Sequence, residues 1–188
     1  EAGAAFESVS ADSPDYARAL GRAGDAYWHV YADGAMKPPE EREPDKLAEA
    51  LKLAQQNLAK SVAEQRKSLK ADSPLPLELA EAEINLAEAS IESGQPAEAV
   101  KLMQELAPKT QTQKELKSLE LRTLIALLRG CIATKDLRAA EETMKTIEGT
   151  GKELAQITRV YLDLGKQLQA EMDRLSALGD KVKYELTR

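Results

Sequence analysis

Residues 82–108 read AEINLAEASIESGQPAEAVKLMQELAP. On each side of Gly94 the apolar residues recur at three- and four-residue steps, which is typical of amphipathic helices. Gly94 can adopt the left-handed conformation that ends a helix, and Pro96 suits the first turn of the helix that follows. This part of the chain therefore predicts two helices joined by a tight turn.

A similar pattern occurs on both sides of this predicted hairpin. Leu127-Leu128, followed by Lys135-Asp136-Leu137, repeats the order of helix, turn and helix, and residues 47–51 repeat the second helix. The tetrapeptide Ala-Asp-Ser-Pro occurs at 11–14 and again at 71–74, in both places before a predicted helix. Repeated helical hairpins form an extended surface, so the pattern indicates a scaffold.

The same periodicity predicts where the other helices begin and end. Pro108 is expected to end the helix over 97–106, and the proline-rich residues 33–44 are expected to form a loop. Where the two helices of a pair touch, we expect Ala50, Ala99 and Ala140 to be buried. The fold class is all-α, with about seven to eight helices, because no segment alternates like a strand. The full helices are predicted over 15–31, 45–69, 75–93, 97–106, 113–134, 137–147 and 152–178, and 181–188 reads as the start of another.

Composition restricts the classes of function. Of 188 residues 43% are hydrophobic and 31% are charged, and the formal net charge of −6 gives no general attraction to nucleic acid. The single cysteine, Cys131, and the single histidine, His29, are far apart in the sequence, which argues against a zinc site or a Cys/His nucleophile. Cys131 is expected to be a buried apolar residue. The sequence predicts no catalytic residues, no metal, no cofactor and no transmembrane segment.

The hairpin of residues 82–108 resembles the tetratricopeptide repeat (TPR) family. Leu86 and Ala87 match the apolar and small residues of its first helix, Gly94 its turn, and Ala99 the small residue of its second helix. A second unit matches less closely, since Lys135 stands where glycine is usual. The resemblance implies a right-handed stack of antiparallel helical hairpins, a TPR-like α-solenoid. It makes 1–188 one domain of a larger, bacterial protein, with units over 15–70, 74–108 and 113–148 and partial units over 1–14 and 152–188.

The resemblance also implies a non-catalytic role in binding a peptide or a helix of a partner protein. The first helices of successive hairpins would form the concave face, which holds charges of both signs. Glu88 stands where a carboxylate-binding clamp of the family would need asparagine, so that clamp is not expected. The candidate partner-binding residues are Arg18, Arg22, Asp25, Glu88, Glu92, Arg122 and Arg129, with Glu81 on the same face.

Three alternatives stay open from the sequence. The charges can form a solvated face with weak pairs between successive turns of each helix. The segment can be a spacer between other domains, or an accessory domain of an enzyme with a pocket near Trp28, His29 and Tyr31. The identity of the partner, the oligomeric state and the compartment, whether cytoplasmic or exported to the periplasm, do not follow from these residues.

Overall fold

The computed structural model describes residues 2–70 and 73–150, together with the isolated positions Thr158, Leu162 and Gly165. These residues form seven α-helices and two short 3₁₀ helices and contain no β-strand, which confirms the all-α class for the described part. The chain divides into two compact units, Glu1–Met144 and Lys145–Arg188. Apart from the three isolated positions, the helices predicted over 152–178 and from 181 onward lie outside the described residues.

The helix bounds follow the sequence expectation within a few residues at most ends. The 3₁₀ segments Pro39–Glu41 and Lys114–Leu119 precede the third and the sixth α-helix. The second helix runs four residues further than predicted, to Ala35. The α-helices are α1 (Ala2–Glu7), α2 (Tyr16–Ala35), α3 (Pro44–Ser68), α4 (Leu77–Glu92), α5 (Pro96–Thr112), α6 (Glu120–Ala133) and α7 (Leu137–Gly149).

The prediction that Pro108 ends α5 was wrong, because the helix continues through it to Thr112. A proline lacks its own N–H but leaves later residues free to stay helical when packing favours it. Ala107 and Thr110, on either side of Pro108, are both buried. The Thr110 hydroxyl donates to the Ala107 carbonyl oxygen at 2.9 Å. The buried face of α5 therefore extends past the proline.

The start of the sixth helix was also predicted too early. Residues 114–119 form a 3₁₀ segment in which Leu116 is fully buried. The side-chain oxygen of Gln113 accepts a hydrogen bond from the Leu75 N–H at 3.1 Å. Together these contacts attach the segment before α6 to the residues that precede α4.

Helix packing in the first unit joins neighbours in the chain and also helices further apart. α2 packs against α1, α3 and α4, while α4 also packs against α3, α5 and α6. Gly24 of α2 faces Leu58 of α3 so closely that an added Cβ would lie 2.6 Å from its Cγ. The expected burial of the three alanines is confirmed, with exposures of 5%, 0% and 5% for Ala50, Ala99 and Ala140.

Candidate functional site

One face of α4 carries an acidic row that lies between α2 and α6. Its five members recur at steps of three and four residues, so they share one side of the helix. α2 and α6, which both pack against α4, carry the arginines that approach this row. The row consists of Glu78, Glu81, Asn85, Glu88 and Glu92.

α2 contacts the row through two polar groups. Arg18 donates from Nη2 to Glu78 Oε1 at 3.1 Å, and its Nε forms an ion-pair contact with Oε2, also at 3.1 Å. Arg22 approaches the same carboxylate only to 3.7 Å, as an ion pair without a hydrogen bond. One turn further along, Asn85 Nδ2 donates to Asp25 Oδ1 at 2.7 Å. Glu78 therefore forms ion pairs with two arginines, of which only Arg18 also donates a hydrogen bond to it.

α6 contacts the row through two arginines. Arg122 donates from Nε and Nη2 to the two oxygens of Glu88, at 3.1 and 2.7 Å. Its Nη2 also donates to Asn85 Oδ1 at 2.5 Å. Arg129 binds Glu92 Oε1 at 2.5 Å. Asn85 is only 5% exposed and links Arg122 on one side to Asp25 on the other, so it joins all three helices.

Tyr31 of α2 lies at one end of this face, and Trp28 stacks on it. The Tyr31 hydroxyl donates to Glu92 Oε2 at 3.0 Å, and burial together with this carboxylate raises the pKa of Tyr31 to about 12. Trp28 is buried and stacks on Tyr31 with ring centroids 5.5 Å apart. His29 points into solvent, with its side chain 69% exposed and Nε2 3.7 Å from Asp25 Oδ1. Trp28 thus packs against Tyr31, and His29 stands apart from that pair.

A cavity of about 270 Å³ opens between α2 and α4 on this face. Its apolar lining comes from Gly21, Leu58 and Ala82, and charged side chains line the rest. Glu81 lines the cavity and makes no hydrogen bond or ion pair within the described residues. The charged and polar lining residues are Arg18, Arg22, Asp25, His29, Gln65, Glu78, Glu81, Asn85 and Arg122.

The structure brings the seven predicted binding residues together, but it also pairs most of them with one another or with α4. Arg122 binds Glu88, Arg129 binds Glu92, and the other pairs join α2 to α4. Sequence reasoning missed Glu78, and it named Tyr31 only for a pocket with Trp28 and His29, not for its contact with Glu92. The spacing could have indicated Glu78, since it follows Arg18 by 60 residues, the offset of the repeated Ala-Asp-Ser-Pro. Of the seven, Arg22 is the arginine without a hydrogen bond.

A second polar cluster joins α3, α4 and α5, and of its members only Glu83 is buried. Glu83 is fully buried, and its Oε1 accepts a hydrogen bond from Arg66 Nε at 2.7 Å. Arg66 also binds Glu105 of α5 at 3.1 Å, so one guanidinium joins α3, α4 and α5. Glu83 Oε2 is buried and has no hydrogen-bond partner in the described part of the chain. Burial raises the pKa of Glu83, and the nearby Arg66 only partly opposes this effect.

Within the described residues no group of three His, Cys, Asp or Glu side chains could hold a metal ion, and no helix has the length and apolarity to cross a membrane. Cys131 is buried, as predicted, and burial raises the pKa of its thiol. Comparisons with known proteins found no matching family model, no similar curated protein and no similar solved structure.

Proposed function

We propose that this chain is a non-catalytic, TPR-like scaffold that binds a peptide or helix of a partner protein through the joint face of α2, α4 and α6. The spacing of the contacts on this face carries the proposal. Arg18 and Glu78 are 60 residues apart, as are Asp25 and Asn85. When two helices lie side by side and run in the same direction, the residues that face each other are expected to differ by a constant number of positions in the sequence.

The contacts of α6 with α4 support the same arrangement. Arg122 and Glu88 are 34 residues apart, and Arg129 and Glu92 are 37 apart, close to the TPR period of about 34. If α2, α4 and α6 all run in one direction, α3 and α5 must return between them. Successive hairpins would then be stacked, and the longer offset from α2 to α4 would reflect the 25 residues of α3.

The charged side chains of this face fall into two groups, those paired between helices and those without a hydrogen bond in the described part of the chain, and this supports binding at the face. The paired side chains hold neighbouring helices in register, which gives the face a defined shape before any partner arrives. Arg22, His29 and Glu81 lie on the same face, make no hydrogen bond to any other residue that the structure describes, and remain available to a partner. A groove of this kind suits an extended segment or a helix that carries charged side chains.

The test is selection of peptides from a displayed random library against the immobilised 188-residue chain. Selected peptides are then measured against Arg22→Glu and Glu81→Lys, which alter the face, and Lys101→Glu, an exposed charge reversal on α5. We expect each face variant to weaken binding by about tenfold and Lys101→Glu to leave it unchanged. All three variants should keep the helical circular dichroism of the parent chain.

Two results would contradict the proposal. Failure to select any peptide that binds the folded chain would favour a spacer role. Peptides whose binding is reduced by Lys101→Glu but not by the face variants would place recognition on another surface.

A further inference from the structure

Glu81 differs from the other carboxylates of the acidic row. Arg18 binds Glu78, Arg122 binds Glu88 and Arg129 binds Glu92, each within 3.1 Å. No arginine from α2 or α6 reaches Glu81, although it lies between Glu78 and Asn85 in the same row. A carboxylate in a groove between two helices, with no arginine of either helix bound to it, is where a partner's cation would be attracted.

The charges around the cavity leave a small negative excess. Arg122 lines the cavity, but it donates hydrogen bonds to both oxygens of Glu88, which is not part of the lining. The charge of Arg122 is therefore balanced by Glu88. Arg18 and Arg22 both pair with Glu78, whose carboxylate balances only one of their two positive charges, so one positive charge remains. Two carboxylates, Asp25 and Glu81, oppose that charge. The whole chain also carries a formal net charge of −6, which would steer a basic segment toward it.

Of the basic side chains that line the cavity, Arg18 and Arg122 are hydrogen-bonded to carboxylates, whereas Arg22 and His29 make no hydrogen bond within the described residues. The Arg22 side chain is 63% exposed, so water screens its charge, and Glu78 is its nearest counter-ion at 3.7 Å. His29 is similarly exposed and lies 3.7 Å from Asp25. Both side chains can therefore turn outward without breaking an internal hydrogen bond.

The lining of the cavity suits a long side chain with a charged end. Leu58, Ala82 and Gly21 provide an apolar surface beneath the charged rim. Arginine and lysine cover apolar surface with their aliphatic stems while the charged group remains near water or a carboxylate. The cavity volume of about 270 Å³ leaves room for one such side chain.

We propose that this cavity receives an arginine or lysine side chain of the partner segment, with its cationic group paired to Glu81. This inference rests on the proposed function and adds the chemistry of the partner. Asp25 would be the second carboxylate near the bound cation, and Asn85 would keep Asp25 in place through its hydrogen bond.

The test uses four pools of acetylated, amidated heptapeptides with random flanks. The pools differ only in the central residue, which is arginine, lysine, norleucine or glutamate. Each pool is titrated into the isotope-labelled 188-residue chain at 150 mM salt, and the Gly21 backbone amide and the Asn85 side-chain amide report on the cavity by NMR. We expect the arginine and lysine pools to shift both signals and the other pools to shift them less.

Two variants show whether the effect depends on Glu81. Glu81→Gln removes the charge at the cavity, and Glu98→Gln removes an exposed charge on α5 as the matched control. We expect Glu81→Gln to weaken binding of the basic pools by about fivefold or more and Glu98→Gln to leave it unchanged. Retention of the amide spectrum of the free protein shows that each variant is folded.

The other outcomes separate the inference from the proposed function. Stronger shifts of these signals with the norleucine or glutamate pool would contradict the proposal that a basic side chain enters the cavity. The same result would still support the face as a binding surface. Equal binding of the basic pools to the parent chain and to Glu81→Gln would also overturn the inference alone. If no pool shifts signals anywhere on the α2, α4 and α6 face, both proposals fail together.

Discussion

Lys135 repeats the left-handed backbone conformation of Gly94, with φ of 63° against 79°. The hydrogen bonds of the two turns also correspond. The Gln95 N–H donates to the Ser90 carbonyl oxygen at 2.8 Å, and the Asp136 N–H donates to the Cys131 carbonyl oxygen at 2.9 Å. The Schellman-type turn that ends α4 is thus formed again at the end of α6, with lysine in place of glycine.

This correspondence predicts that Lys135→Gly stabilises the protein. A residue with a Cβ is strained in the left-handed region, whereas glycine is not. We expect the free energy of unfolding, measured by urea denaturation, to rise by about 0.5–1 kcal/mol. In the opposite sense, Gly94→Ala should lower it by about 1 kcal/mol, although no atom lies within 4 Å of the added Cβ. A loss of stability in Lys135→Gly would show that the side chain of Lys135 outweighs the strain.

The close approach of α2 to α3 depends on Gly24. An added Cβ would lie 2.6 Å from Leu58 Cγ and 2.9 Å from its backbone nitrogen, and the backbone cannot move aside easily. We expect Gly24→Ala to lower the free energy of unfolding by about 2–3 kcal/mol through overpacking. Gly149→Ala is the matched control, since nothing lies within 4 Å there, and it should change stability little or raise it slightly. Equal melting temperatures for the two variants would contradict the close approach.

The bidentate bond from Arg122 to Glu88 should contribute measurably to stability. Lysine cannot donate to both carboxylate oxygens and to Asn85 Oδ1 from one fixed geometry. We expect Arg122→Lys to lower the free energy of unfolding by about 1–2 kcal/mol. The control is Arg138→Lys, because Arg138 is 90% exposed in its pair with Glu142 and should lose at most a few tenths of a kcal/mol. Similar losses in both variants would mean that the Arg122 pair is no stronger than a surface pair.

The buried carboxyl of Glu83 predicts a pH-dependent contribution to stability. Burial raises its pKa in the folded protein, so between the unfolded and folded pKa values the native state binds more protons than the unfolded state. Its favourable contribution is therefore complete below the unfolded pKa and is lost as pH rises through the folded pKa. We expect the stability of the parent chain relative to Glu83→Gln to be greater near pH 4.5 than near pH 8.

Urea denaturation of both proteins across this pH range measures the difference, and most other titrating groups cancel because both chains share them. A second variant, Arg66→Met, removes the cation that partly opposes the rise in the pKa of Glu83. When Arg66→Met is added to both proteins, the difference in the free energy of unfolding between the parent chain and Glu83→Gln should change more with pH. A difference that is constant, or that grows in favour of the parent chain as pH rises, would contradict the expected direction of the shift.

The burial of Ala99 gives a direct test of the contact between helices. Ala99 is 0% exposed, whereas Ala97, two residues earlier in α5, is exposed. We expect Ala99→Glu to lower the free energy of unfolding by about 3 kcal/mol or more, because an unpaired charge would be placed in the core. Ala97→Glu should remain within about 0.5 kcal/mol of the parent chain. Comparable thermal melting of the two variants would mean that Ala99 is not a point of close packing.

The sequence was sufficient for features that depend on neighbouring residues. The turn at Gly94, the burial of Ala99 and the helix over 45–69 all follow from local periodicity and from residues that begin or end helices. Seven residues of the candidate face were named from the helical period, which indicates the residues that line one side of a helix, whereas Glu78 was missed. Pro108 was misjudged, since the local preference against proline was outweighed by the buried residues beyond it.

Only the tertiary structure decided which charges meet. Arg122 binds Glu88, and Glu81 has no partner in residues 2–70 and 73–150, because the relative positions of the helices follow from loop lengths and packing rather than from spacing within one helix. The burial of Glu83 against Arg66 is of the same kind, since glutamate in a helix is usually exposed and the partner lies on a different helix. Local sequence determined the helices and their faces, whereas the contacts between helices determined which side chains were satisfied and which remained available.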